Sequence, residues 1–210
     1  MNARVRVKIC GITNREDAES AVALGADALG FNLFPGSKRC VGLDENAAWI
    51  AALPPFVAKI AVLVNAPLDE ARRVAGHPAI DLVQLHGDED ADYCAALARD
   101  GRPFIKALRV QDATVLDRLS EFFTPHVLID AFVPGEFGGT GARIDLALAG
   151  EIVRRHPRLH IILAGGLTPE NVGEAVRVVS PFAVDVASGV ERDPRRKDAT
   201  RMAAFITTVG

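Results

Sequence analysis

Two side chains capable of proton chemistry stand at the ends of apolar runs in this 210-residue chain. One is Cys10, in Val7-Lys8-Ile9-Cys10-Gly11-Ile12-Thr13; the other is Asp130, in Leu128-Ile129-Asp130-Ala131. Side chains alternate between the faces of a strand, so Lys8 and Cys10 share one face of the first run. A charge and a thiol on one face of an otherwise apolar strand are unusual core filling. A thiolate takes a proton and a carboxyl gives one, and the two flanking a bound sugar suit a proton-shifting isomerisation. Each also has a plainer use. A free cysteine is commonly a buried small side chain, and an aspartate after a strand commonly caps a turn. Cys40 and Cys94 keep that plainer reading.

Other polar residues follow apolar runs in the same way: Asn65, Gln84 with His86, Lys106 with Arg109, and Asp185. Arg39, in Pro35-Gly36-Ser37-Lys38-Arg39, carries a planar guanidinium that can bind a carboxylate through two hydrogen bonds, although spacing alone favours an exposed loop charge. His86 could act as an acid, a base or an orienting group, or serve as a structural hydrogen-bonding residue. Two glycine loops, Leu163-Ala164-Gly165-Gly166-Leu167 and Val186-Ala187-Ser188-Gly189-Val190, follow the last two strands. Glycine lets backbone approach an anion, and exposed amides then cradle it. Either loop alone would pass for a tight turn; together they point to phosphate. The run Pro134-Gly135-Glu136-Phe137-Gly138-Gly139-Thr140-Gly141 has the composition and length of a mobile lid over a small substrate.

These residues need a frame. Apolar, β-branched runs at 5–10, 28–33, 57–64, 81–85, 103–107, 127–130, 160–164 and 182–186 read as strands. Helices are predicted over 14–24, from Asp44 to just before Pro54, and over 67–75, 89–99, 113–122, 145–155, 169–178 and 195–208. Asn14 or Thr13 caps the first helix and Gly25 follows it. Alternation of this kind predicts a parallel sheet with helices outside it. Eight units fit a closed (β/α)8 TIM barrel, an α/β fold, formed as a single domain over residues 1–210. An open doubly wound sheet is the alternative, but no Gly-x-Gly-x-x-Gly turn follows the first strand. In the barrel, the carboxyl ends of the strands carry the site, and the loops after the seventh and eighth strands often bind phosphate. Closure sets the eighth strand beside the first, which predicts an ion pair between Lys8 and Asp185. The Lys8 charge is also expected to raise the thiolate fraction of Cys10.

Composition narrows the partners. The chain is 49% hydrophobic and 24% charged with a net charge of −3, ordinary for a globular protein. No concentrated basic face suggests nucleic acid or an anionic membrane. Three cysteines without a Cys-x-x-Cys pair argue against a disulfide framework and against zinc. His77, His126, His156 and His160 form no metal-ligand pattern, so no metal is expected. No signal-like or membrane-spanning run occurs, and a reducing cytoplasm is the expected location.

Taken in order, the motifs resemble those of the phosphoribosylanthranilate isomerase family. The resemblance rests on Lys8-Ile9-Cys10-Gly11-Ile12-Thr13, Gly30-Phe31 through Arg39, Gln84-Leu85-His86-Gly87 and Asp130 through Gly141. It continues in Leu163-Ala164-Gly165-Gly166-Leu167, Pro169-Glu170-Asn171-Val172, and Asp185-Val186 with Ser188-Gly189-Val190-Glu191. It implies an Amadori rearrangement of N-(5-phosphoribosyl)anthranilate to its 1-deoxyribulose 5-phosphate isomer, in tryptophan biosynthesis. It further implies Asp130 as general acid, Cys10 as general base and Arg39 on the anthranilate carboxylate. Gly165, Gly166, Ser188 and Gly189 would hold the phosphate, with Lys8, His86 and Asp185 in support. No cofactor is implied, and the chain is expected to act as a monomer or homodimer on this phosphosugar. Leu146 and Ala187 depart from residues frequent in the family, and Lys197-Asp198 follows extra arginines. The related aminoaldose isomerase of histidine biosynthesis has an aspartate where Cys10 stands. A silent, metabolite-binding barrel would need neither Cys10 nor Asp130.

Overall fold

Eight parallel strands close into a ring in chain order, with the first paired to both the second and the eighth. They are β1 (Arg6–Cys10), β2 (Ala28–Asn32), β3 (Ala58–Leu63), β4 (Leu82–Leu85), β5 (Phe104–Val110), β6 (His126–Ala131), β7 (His160–Leu163) and β8 (Ala183–Val186). The computed structural model describes residues 4–110, 119–131 and 144–210. Around the ring stand α1 (Arg15–Ala23), α2 (Leu43–Ala51), α3 (Leu68–Ala75), α4 (Ala91–Arg99), α5 (Leu146–Arg155), α6 (Val172–Val179) and α7 (Ala199–Val209). None of the described helices is long and apolar enough to cross a membrane.

The period-two pattern of the strands divides the core in two. Val7, Ile9, Leu29, Phe31, Val83 and Ile129 join the apolar layer beneath the helices. Ile60, Ile105, Ala107, Leu128, Ile162 and Ala183 fill the barrel interior. By the same alternation Lys8 and Cys10, Gln84, Asp130 and Asp185 point inward. Side-chain caps start α1, α4, α5 and α7. Asn14 Oδ1 accepts the Asp17 amide at 2.9 Å at the start of α1, and Gly25 follows its end with φ +100°.

Several boundaries differ from those read in the sequence, among them the helix expected from Pro169, which begins at Val172. The fifth strand continues to Val110, because its end pairs with β6 through Arg109↔Asp130 and Val110↔Ala131. The helix expected from Glu89 begins at Ala91, because Asp90 caps it, and Glu89 is buried in the core. The last helix begins at Ala199 because Asp198 caps it, accepting the Arg201 amide at 3.0 Å. The residues before it form an antiparallel hairpin of β9 (Glu191–Asp193) and β10 (Arg196–Lys197). Residues 113–118 of the expected fifth helix lie outside the described residues, and Leu119–Phe122 is a 3-10 turn. The glycine-rich segment 134–141, read as a lid, also lies outside them.

Candidate active site

Cys10 ends β1 on the inner face, half-buried, one layer above Lys8. The ion pair expected for Lys8 is formed: its Nζ donates to Asp185 Oδ1 at 2.8 Å, between residues paired in register across β1 and β8. Gly30 on β2 makes room for this group, since a Cβ there would lie 2.7 Å from Cys10 Sγ and 3.0 Å from Lys8 Nζ. Burial pulls the Lys8 ammonium down, but the charge of Asp185, helped by Cys10, holds it above the ordinary lysine value. The consequence for the thiol corrects the expectation from sequence. Burial pushes Cys10 up, and Asp185 adds to this, more than the adjacent Lys8 pulls it down. With its charge balanced by Asp185, Lys8 keeps Cys10 from rising further but does not make it an acidic thiol.

Asp130 lies near the end of β6, which stands away from β1 across the ring. Its Oδ1 accepts the Ala131 amide at 2.8 Å, and its Oδ2 faces His86 Nε2 at 3.4 Å. Gln84 Nε2 meets His86 Nδ1 at 2.8 Å. Among the described residues, Gln84 Oε1 and His86 Nε2 are buried without a well-formed hydrogen bond. Buried polar atoms in that state cost about 1–3 kcal/mol each, a cost that a polar ligand can relieve. The loop carrying His86 is firmly held. Glu89 accepts the amides of Asn65 at 2.9 Å and Gly87 at 3.0 Å. Lys106 Nζ donates to Glu89 at 2.6 Å and to the Gly87 carbonyl at 3.0 Å. Lys106 is therefore not in the barrel mouth. It shares the outer face of β5 with Phe104 and secures the loop from behind.

Arg39 reaches the mouth from the loop after β2. Its aliphatic stem crosses Gly11, whose φ is +74° and where a Cβ would lie 2.4 Å from Arg39 Cδ. Its Nε and Nη2 donate to Glu191 Oε1 and Oε2, both at 2.7 Å. Glu191 Oε1 also accepts from Lys197 Nζ at 2.8 Å, and Lys197 donates further to the Cys10 carbonyl at 2.6 Å. Burial pushes Glu191 up, but Arg39 and Lys197 outweigh it and hold the carboxylate below its usual range. Glu191 and Lys197 are not legible as site residues from their spacing. Their only sequence signal is their place inside the family-like segments near the end of the chain.

A family model described as N-(5'-phosphoribosyl)anthranilate (PRA) isomerase matches residues 7–208. The chain belongs to the phosphoribosylanthranilate isomerase family. It is 48% identical over 202 residues to the N-(5'-phosphoribosyl)anthranilate isomerase of Geobacter metallireducens, covering 96% of this chain and 97% of that protein. A PRA isomerase crystal structure in complex with reduced 1-(o-carboxyphenylamino)-1-deoxyribulose 5-phosphate is 40% identical, covers 98% of each chain and superposes with a TM-score of 0.84. A structure of monomers generated from the dimeric PRA isomerase of Thermotoga maritima is 37% identical, with 98% coverage of each chain and a TM-score of 0.84.

In this PRA isomerase family member the two glycine loops lie against each other. A Cβ on Gly189 would sit 1.9 Å from the Leu167 carbonyl oxygen, so the eighth loop packs directly on the seventh. Gly165 and Gly166 have φ of +89° and +61°, conformations that L side chains adopt at a cost. A Cβ on Gly165 would also come within 2.9 Å of the Ala131 amide nitrogen and 3.2 Å of Asp130 Oδ1. Thus Gly165 borders the Asp130 carboxyl as well as the loop read as a phosphate cradle. Asn171 braces this loop, donating to the Gly166 carbonyl at 2.9 Å and accepting the Thr168 amide at 2.8 Å.

Proposed function

We propose that in this isomerase Cys10 is the general base and Asp130 the general acid for opening and rearranging the phosphoribosyl group of N-(5'-phosphoribosyl)anthranilate. The supporting observation is a partly accessible thiol and a buried carboxyl, both on the inner face of the barrel near its carboxyl end. Asp130 gives its proton to the furanose ring oxygen. The C1–oxygen bond breaks as the anilino nitrogen forms a C1=N bond, leaving a protonated Schiff base. The Cys10 thiolate takes the proton from C2, and the freed electron pair forms C1=C2 while neutralising the nitrogen. The resulting enolamine tautomerises, losing its C2 hydroxyl proton and gaining one at C1, to the 1-deoxyribulose ketone. Hydrogen moves within one molecule, so the reaction needs no external oxidant or reductant.

Substrate-holding roles follow from chemistry. Arg39 binds Glu191 through its Nε–Nη2 edge, and the Nη1–Nη2 edge is the second bidentate face of a guanidinium, suited to the anthranilate carboxylate. Gly165, Gly166, Ser188 and Gly189 hold the phosphate. His86, backed by Gln84, faces Asp130 and steadies the carboxylate left after proton donation. The ligand in the related complex, a reduced form of the product, carries the same carboxyphenylamino and phosphate groups. Turnover can be followed by the change in anthranilate fluorescence, with Cys10→Ala and Asp130→Ala as the variants that test the roles.

The raised pKa of Cys10 sets a pH dependence. A base must lose its proton to act, so an elevated value moves the rising limb of kcat/KM to higher pH. That limb is expected above the ordinary thiol value of about 8.5. A pH-rate profile of wild type, paired with the pH dependence of Cys10 alkylation, measures it. A limb below pH ~8 that coincides with Cys10 ionisation would contradict the burial argument.

Phe56 is 97% exposed just before β3. At the same end of the barrel a largely apolar cavity of about 200 Å³ is lined by Ala28, Ala58, Ile60, Leu82 and Ile105, with Arg6, Lys8, Asp27 and His126 also on its wall. This pairing of projecting ring and apolar hollow favours a homodimer, as the name of the Thermotoga maritima protein records for that relative. Light scattering on the eluted protein is expected to give twice the chain mass, and Phe56→Glu to give one chain mass. A wild-type monomer at high protein concentration would exclude the dimer. All three cysteines are free, which accords with a cytoplasmic location where thiols stay reduced.

A further inference from the structure

We infer that Glu191 is a positioning residue that aims Arg39 at the carboxylate of the substrate, and that Lys197 ties this aim to Cys10. The inference rests on Arg39 as the carboxylate-binding group.

The geometry is specific. Glu191 takes one edge of the Arg39 guanidinium in a two-pronged bond, 2.7 Å on each prong. The side chains are 15% and 5% exposed, so neither is free to swing in solvent. A planar guanidinium held by one edge has its other edge fixed in direction. The stem of Arg39 lies over Gly11, the residue after Cys10. Arg39 therefore packs against the residue that directly follows the base.

Lys197 completes the link. It is the register partner of Glu191 in the β9–β10 hairpin, and its side chain is 1% exposed. One ammonium donates to Glu191 Oε1 at 2.8 Å, to the Cys10 carbonyl at 2.6 Å and to the Ala187 carbonyl at 3.1 Å. The hairpin is fastened to neighbouring loops as well. Thr13 Oγ1 donates to the Arg195 carbonyl at 2.6 Å, Arg195 Nη1 donates to the Cys40 carbonyl at 3.0 Å, and Asp17 accepts the Lys197 amide at 2.9 Å. Segments after β1, β2 and β8 are thereby joined at one point.

The charges also fit. A carboxylate beside an anion-binding group would repel the anion if it stood alone. Here Arg39 and Lys197 bring two positive charges against the single negative charge of Glu191. The trio has a net charge of +1, which matches one substrate carboxylate. Glu191 therefore orients Arg39 without cancelling its attraction for an anion.

The test compares KM and kcat for N-(5'-phosphoribosyl)anthranilate with those for the analogue that lacks the carboxylate, N-(5'-phosphoribosyl)aniline. Glu191→Ala is expected to raise KM for the first by about tenfold or more, with kcat within about threefold, and to leave KM for the second unchanged. Glu191→Gln, which keeps the shape and one acceptor oxygen, is expected to fall between wild type and Glu191→Ala and supplies the measurement should the alanine variant not fold. An unchanged KM, or an equal loss on both substrates, would overturn the inference. Arg39→Ala separates the two layers of the argument. If it leaves KM for the carboxylate substrate unchanged, the reading of Arg39 itself fails. If it raises KM while both Glu191 variants do not, only the positioning role fails.

Discussion

Cys10→Ala and Asp130→Ala are each expected to lower turnover of phosphoribosylanthranilate by about 10²–10⁴-fold, the range for losing one general acid or base. The two variants remove different protons from the reaction. On the proposed roles, without Asp130 the ring oxygen must leave unprotonated, and without Cys10 the C2 proton has no positioned acceptor. Neither side chain is required for the barrel to close. Cys10 is half-buried beside an intact Lys8–Asp185 pair, and among the described residues Asp130 makes one well-formed side-chain hydrogen bond, to its own neighbouring amide. Both variants should therefore bind a product analogue with affinity close to wild type, read by fluorescence titration. Cys10→Ser is a sharper probe, since a hydroxyl keeps nearly the same shape but ionises far less readily than a thiol. It should resemble Cys10→Ala in rate. Full turnover by either alanine variant would refute the role given to that residue, and lost ligand binding would point to damage of the site instead.

The largest effect on stability is expected at Lys8. Lys8→Met leaves the Asp185 carboxylate buried beside the barrel axis without its partner, the pair being 3% and 9% exposed in the side chains. Breaking a buried ion pair on one side costs about 3–5 kcal/mol. For a domain of this size that lowers Tm by about 6–20 °C. Lys8→Met/Asp185→Asn should lose less than the two single variants summed, because no uncompensated charge is left behind. Thermal and urea unfolding at pH 7 measure both. A loss below ~1 kcal/mol in Lys8→Met would mean that water relieves Asp185 in the folded state. The pH dependence has a definite sign. Lys8 is held above its unfolded value, so its contribution is fully present below about pH 10.4 and is lost only as pH rises through the higher folded value.

Much of this protein could be read from residue order. Alternating apolar runs and amphipathic stretches specify strand–helix repetition, and eight repeats specify a barrel. Period-two alternation places Lys8 and Cys10 on one face, and closure places Asp185 in register beside Lys8. These are local rules, or rules that follow from the fold class alone. The phase of each strand is also local, but it must be anchored to a face, and here Lys106 shows the limit. As a polar residue after an apolar start it reads as part of the mouth, yet β5 sets it with Phe104 on the outer face.

Tertiary structure decided the rest, because the deciding contacts join residues far apart in the chain. Arg39 and Glu191 are 152 positions apart, and Lys197 and Cys10 are 187 apart. No spacing rule connects them. They meet only because the ring brings the ends of β1, β2 and β8 together and a hairpin, absent from the expected elements, folds over that junction. The ionisation of Cys10 is decided at the same level. Composition and sequence put a lysine near the thiol and suggest a more acidic cysteine. Burial and the charge on Asp185 reverse that direction, since the cost of ionising a group depends on the solvent and partners around it in the folded chain.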